Sequence, residues 1–124
     1  MKGIPVAGVR NFSILGHPGS GKTTLADAIL YKIGINDRRG DVDAGSSMSD
    51  FTDEEKNHKN SIYATPFAGE YKSGGRSVGL VMVDTPGYGD FLGMVAAALR
   101  ASDCGLITVD ASSGVQVGTS RAWK

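Results

Sequence analysis

The chain has one cysteine, one tryptophan and no surplus of either charge, since 13 Lys plus Arg balance 13 Asp plus Glu. Each shortage excludes something. A lone Cys104 rules out an intramolecular disulfide, and its place in the apolar run 104–109 suggests a small buried hydrophobe in a reducing compartment. A net charge of zero gives no sign of a broad basic footprint on DNA or on a membrane. No stretch reaches the roughly 20 apolar residues of a membrane span. The opening Met1-Lys2-Gly3-Ile4-Pro5-Val6 lacks the apolar core of a secretory signal, and Lys2 stands where N-myristoylation needs glycine. The expectation is a cytoplasmic protein with neither membrane nor DNA as partner.

Glycine is what the chain has in quantity, 18 of 124 residues, so tight turns are frequent. The length fits one small domain. Phe12-Ser13-Ile14-Leu15 reads as a strand, starting as early as Val9 and ended by Gly16. From Lys22 the pattern turns helical, with Leu25, Ala28, Ile29 and Lys32 at spacings of three and four, Ala26 and Leu30 thickening the apolar side, and Gly34 as a stop. Residues 36–60 are polar and charged. They read as a solvated connector, with a short helix as an option over Asp53–Lys59, yet a loop of this length in a small domain usually has a function or is disordered.

Residues 61–71 mix β-branched and aromatic side chains, and Pro66 marks an edge strand or bulge. Ser73-Gly74-Gly75-Arg76 reads as a hairpin turn, and Val78–Val83 as a strand buried on both faces. Phe91–Ala101 is predicted helical with Phe91, Val95, Ala98 and Leu99 on one side, Gly105–Val109 is a further strand, and a helix begins near Thr119. The order defines an α/β fold: a mostly parallel sheet with one antiparallel edge strand and helices on both faces. No internal repeat or low-complexity tract interrupts it.

The chemistry lies in Gly16-His17-Pro18-Gly19-Ser20-Gly21-Lys22-Thr23, which fits G-x-x-x-x-G-K-T between a strand and a helix. Glycines let the backbone wrap until several N–H groups converge, and the helix start adds unpaired donors and a positive dipole end. Such a loop is suited to the phosphates of a nucleoside triphosphate. Lys22 would supply a point charge and Thr23 a hydroxyl for Mg²⁺. Thr24 is either a second hydroxyl in reach of a phosphate or a solvated helix residue. Asp84 closes an apolar strand at the end where open α/β sheets place ligands, so it is the expected magnesium-side carboxylate. Gly87 in Asp84-Thr85-Pro86-Gly87 has no side chain, so its N–H is free to approach a terminal phosphate closely, a contact that would exist only with the triphosphate. His17 is expected to shape the loop, His58 to be solvated and Asp110 to serve as a strand-end turn residue.

Taken together, Gly16–Thr23, Asp84-Thr85-Pro86-Gly87-Tyr88-Gly89-Asp90-Phe91, Ala97–Asp103 and Val109–Gln116 resemble the start of a translational GTPase. The resemblance is to bacterial elongation factor G and its divergent elongation-factor-G-like relatives, and it covers nearly the whole chain. It implies a phosphate-loop NTPase fold, here the incomplete N-terminal portion of a GTP-binding domain across 1–124. It also implies GTP/GDP and Mg²⁺ as ligands, and the ribosome as partner in translocation. By this resemblance Gly16 to Thr23 cradle phosphates, and Thr23, Ser61 and Asp84 hold magnesium. Gly87 senses the γ-phosphate. The first switch runs from about 37 to 61 and the second from 84 to 91. Two departures stand out. The family's R-G-I-T becomes a stretch with Ser61 in the Thr position. The histidine of D-T-P-G-H, which positions the attacking water, is Tyr88, a poor base at neutral pH because a phenol ionises near about 10. No residue is thereby assigned as catalytic base, and the base-recognition motif N-K-x-D is not found in the chain.

Overall fold

A computed structural model describes residues 3–124. Four strands form one sheet in the order β2-β3-β1-β4, from β1 (Val9–Gly16), β2 (Thr65–Ser73), β3 (Arg76–Asp84) and β4 (Cys104–Thr108). β1 pairs in parallel with both β3 and β4, and β2 pairs antiparallel with β3 through a turn at Gly74-Gly75. The sheet is thus mostly parallel with one antiparallel edge, and Pro66 lies on that edge strand, where a missing N–H costs no ladder bond.

Alternation along β1 sends side chains to two layers. Ile14, with Met82 of β3, packs on Ala26 and Leu30 of α1 (Lys22–Lys32). Ser13 and Leu15 face the other side. There Ser13 bonds the Ser102 hydroxyl at 2.6 Å, just beyond α3 (Leu92–Arg100), and Leu15 lies beside Gly105 near Leu99. The remaining helices are α2 (Asp53–His58), within the charged connector, and α4 (Val117–Trp123).

Three sequence readings need correction. The inner face of α1 carries Ala26 and Leu30, with Leu25 and Ile29 partly buried against the same core, as expected, but it also takes in Lys22, Thr23 and Asp27, while Lys32 is exposed. The buried carboxylate of Asp27 is the part of that face that no apolar pattern shows. Cys104 is exposed, because it opens β4, the outermost strand, rather than a central one. The connector is not simply solvated: Ser47, Ser49, Asp50 and Glu55 are all buried within it. Among the described residues, no helix is long and apolar enough to cross a membrane.

Candidate functional site

β1 delivers the chain to the loop at Gly16, and α1 starts six residues later from Gly21, whose φ of 86° is the left-handed conformation that only glycine adopts freely. Lys22 follows inside the first turn. Its Nζ donates to the His17 carbonyl at 2.9 Å, an arrangement that folds the side chain back over the loop. His17 is held in turn: its Nδ1 accepts from the Gly118 N–H at 3.3 Å, so α4 braces the loop, as expected of a shaping residue. Ser20 bonds the Thr108 hydroxyl at 2.7 Å and ties the loop to β4.

Above the loop lies a cleft of about 210 Å³. Pro18, Gly19, Gly21, Lys22, Thr23 and Thr24 form one wall, and Asp50, Ser61, Gly87 and Tyr88 face them from the two expected switch segments. Thr24 is exposed at its rim. Gly87 sits so close to the loop that an added Cβ would fall 2.5 Å from Lys22 Nζ and 2.8 Å from the Pro18 nitrogen. The residues singled out from sequence are therefore brought to one place, with Asp84 buried beside Thr23.

Thr23 Oγ1 and Ser61 Oγ lie 2.9 Å apart, and Ser61 Oγ donates to Asp50 Oδ1 at 2.7 Å. Among the described residues neither Asp84 oxygen has a hydrogen-bond partner, nor does Asp50 Oδ2, although all three are buried. Burial pushes the Asp84 carboxyl up to about 6, against the pull of the nearby Thr23 and Ser49 hydroxyls. Burial also raises Asp50, and it lowers Lys22 against the attraction of Asp84 and Asp50. Buried carboxylate oxygens without donors, next to two hydroxyls, are what a hard cation requires. Among the described residues no three His, Cys, Asp or Glu side chains cluster as a self-sufficient metal site. The donor set thus suits Mg²⁺, which commonly takes one or two carboxylates and completes its shell with water and phosphate oxygens.

The raised Asp84 value has a testable sign. The folded protein keeps this proton up to about pH 6, whereas the unfolded chain loses it near 3.8. At about 1.4 kcal/mol per unit, ionising the buried group costs roughly 3 kcal/mol, a cost that builds as pH rises from 4 to 6 and is complete above that. Asp84→Asn is expected to raise the Tm of the nucleotide-free, metal-free protein at pH 7.5. That gain should shrink as pH falls towards 4; a pH-independent gain would contradict the assignment.

Asp50, Ser49 and Glu55 were not anticipated from sequence. They lie in a stretch whose charge density reads as solvated, and the only local signal is Thr52-x-x-Glu55, the spacing of a capping box, which the structure forms. Counting back from Ser61, the glycine of R-G-I-T falls on Lys59. Lys59 has φ 53° and caps α2, the one non-glycine with positive φ among the described residues. Asp110 is the turn residue expected, accepting from the Ser112 and Ser113 N–H groups.

The sheet order, the strand–loop–helix site and the two converging segments define a nucleotide-binding α/β domain. The family model of the Elongation factor Tu GTP binding domain matches residues 7–124, and the chain belongs to this family of translational GTPase domains. Over 117 residues, 94% of the chain, it is 37% identical to an elongation factor G-like protein of Mycobacterium tuberculosis. Over 120 residues, 97% of the chain, it is 38% identical to the mitochondrial ribosome-releasing factor 2 of Rattus norvegicus. A crystal structure of a protein from Thermus thermophilus superposes with a TM-score of 0.81 at 44% identity over 92% of the chain. The chain spans only 16% and 15% of the two curated relatives and 17% of that structure. A bacterial selenocysteine-specific elongation factor, at 22% identity and a TM-score of 0.65, shares the fold.

Proposed function

We propose that residues 1–124 form the N-terminal portion of the GTP-binding domain of a cytoplasmic translation elongation factor that acts on the ribosome in translocation. The observation that carries this is the cleft itself. Lys22 and Thr23 are set against Ser61 and Asp50 on one side and Gly87 on the other, over a buried Asp84. At about 210 Å³ it is smaller than the roughly 300–1,000 Å³ of whole-ligand pockets, so it suits a phosphate chain with sugar and base outside. The loop amides of Gly19, Ser20, Gly21 and Lys22 hold the phosphates, and Lys22 Nζ exchanges the His17 carbonyl for a phosphate oxygen. Thr23, Ser61 and Asp84 hold Mg²⁺, which when bound neutralises phosphate charge. Gly87 is close enough to the loop for its N–H to reach a terminal phosphate. The matched GTP-binding family and the elongation factor names of several relatives support GTP/GDP and the ribosome as ligands and partner.

A second reading has its own observation. Tyr88 takes the place of the water-positioning histidine and is 43% exposed at the cleft, its hydroxyl without a hydrogen bond among the described residues. A nucleotide-dependent ribosome-binding module that barely hydrolyses GTP would look like this. Single-turnover GTP cleavage by the complete polypeptide, with and without ribosomes, separates the two. Slow intrinsic cleavage is expected, and Tyr88→His should accelerate it by about ten-fold or more, since a positioned base commonly contributes at least that much. A slow rate unaltered by Tyr88→His would remove the role assigned to this position.

A further inference from the structure

Glu55 is completely buried in a helix of only six residues, and no cation accompanies it: neither ion pair among the described residues includes it. Its charge is met by four donors instead. Oε1 accepts from the N–H groups of Ile62 at 3.0 Å and Tyr63 at 3.2 Å. Oε2 accepts from the Thr52 N–H at 3.1 Å and the Thr52 hydroxyl at 2.8 Å. The Thr52 hydroxyl also accepts from Glu55 N–H at 3.2 Å.

A capping box needs only the Thr52 half of this set. The other half reaches past the end of α2 and closes the chain on itself, joining Thr52 to Ile62 and Tyr63. The two closed ends lie next to the two residues that matter at the cleft. Asp50 precedes Thr52 by two positions and Ser61 directly precedes Ile62, and these two side chains are bonded to each other. Between them Lys59 ends α2 in a left-handed conformation uncommon for a residue other than glycine.

We propose that Glu55 is a positioning residue of the first switch, whose carboxylate clamps Thr52 to residues 62–63 and so holds the Ser61 hydroxyl against Thr23. This rests on the reading of the cleft as a GTP site and names what closes it. The clamp forms when the segment folds over the phosphate loop. A diphosphate is held by the loop alone and does not depend on it. Burial opposes the charge on Glu55, but the N–H groups of Ile62, Thr52 and Tyr63 outweigh burial and hold its carboxyl below the usual range. The clamp therefore stays charged at neutral pH.

The test uses the complete polypeptide with Glu55→Ala and Glu55→Gln, titrated in Mg²⁺ with GDP and with a non-hydrolysable GTP analogue. Hydrogen bonds to a charged group are strong enough for their loss to cost roughly ten-fold in affinity. The expected result is about a ten-fold weaker analogue affinity for Glu55→Ala, a smaller loss for Glu55→Gln, which keeps one acceptor, and GDP affinity within about two-fold of wild type. Trypsin cleavage at Lys56 and Lys59 should also cease to be slowed by the analogue. Equal losses for both nucleotides, or none, overturn the proposal. If Glu55→Ala does not fold, Thr52→Val decides: a selective analogue loss supports the clamp, and wild-type discrimination contradicts it. A wild type that binds neither nucleotide removes the functional reading and the clamp together. A wild type that discriminates as well as its variants removes the clamp alone.

Discussion

Lys22→Ala is expected to weaken GTP and GDP binding by about a hundred-fold or more while leaving the fold intact. Truncating one partner of a desolvated charge pair commonly costs about 2–5 kcal/mol, which corresponds to roughly thirty-fold to several-thousand-fold. Lys22 is suited to so large an effect. It is only 5% exposed, its Nζ has one neutral partner, the His17 carbonyl, and burial lowers its pKa. A buried ammonium hydrogen-bonded to a single carbonyl gains a great deal when an anion arrives, and a cleft without it leaves phosphate charge unmet. The free protein, in contrast, loses that bond and the attraction of Asp84 and Asp50 but is relieved of a buried cation, the larger effect on Lys22, so its Tm should change little. Fluorescence titration with a labelled nucleotide, beside a thermal melt, reads both quantities. Unchanged affinity would contradict the role of Lys22.

Gly87→Ala is expected to abolish discrimination between triphosphate and diphosphate. A methyl here would sit 2.5 Å from Lys22 Nζ, 2.8 Å from the Pro18 nitrogen and 2.9 Å from the Pro18 Cα. The lysine can swing aside, but the loop backbone has no such freedom, so the segment 84–91 must retreat. Overpacking of this kind costs about 1–3 kcal/mol. That is enough to cancel a preference of about ten-fold or more for the closed state. GDP affinity should survive within a few-fold, because the loop and Lys22 remain, and analogue affinity should fall to the GDP level or below. Parallel titrations test this; a variant that still prefers the analogue would show that Gly87 is no γ-phosphate sensor.

The two predictions draw on the part of the molecule most legible in the sequence. A strand, a glycine-rich turn and a helix carry their own local signals, so β1, Gly16–Thr23 and the start of α1 follow from periodicity and spacing. The antiparallel edge followed from Pro66 and the Gly74-Gly75 turn, which act locally as well. The segment 37–61 was less legible. Its burial depends on residues far along the chain: Asp27 of α1 accepts from the Met48 N–H at 3.0 Å, and Gly40 packs so tightly on that carboxylate that a Cβ would lie 2.6 Å away. Buried acids held by backbone donors look the same in sequence as solvated ones. For the same reason Asp27 is not legible as part of the inner face of α1, although Leu25, Ala26, Ile29 and Leu30 are, and Glu55 reads as one charge among several. Cys104 was misread because its burial depends on which strands lie beside β4, a matter of topology rather than of composition.

The proposed phosphate seat is tested most directly by following backbone amide resonances of the complete polypeptide during titration with GDP and Mg²⁺. The largest shifts are expected at Gly19, Ser20, Gly21, Lys22 and Thr23, saturating together, with the same set unmoved in Lys22→Ala at matched ligand concentration. Saturable shifts that spare this loop and gather on another face of the sheet would contradict the account.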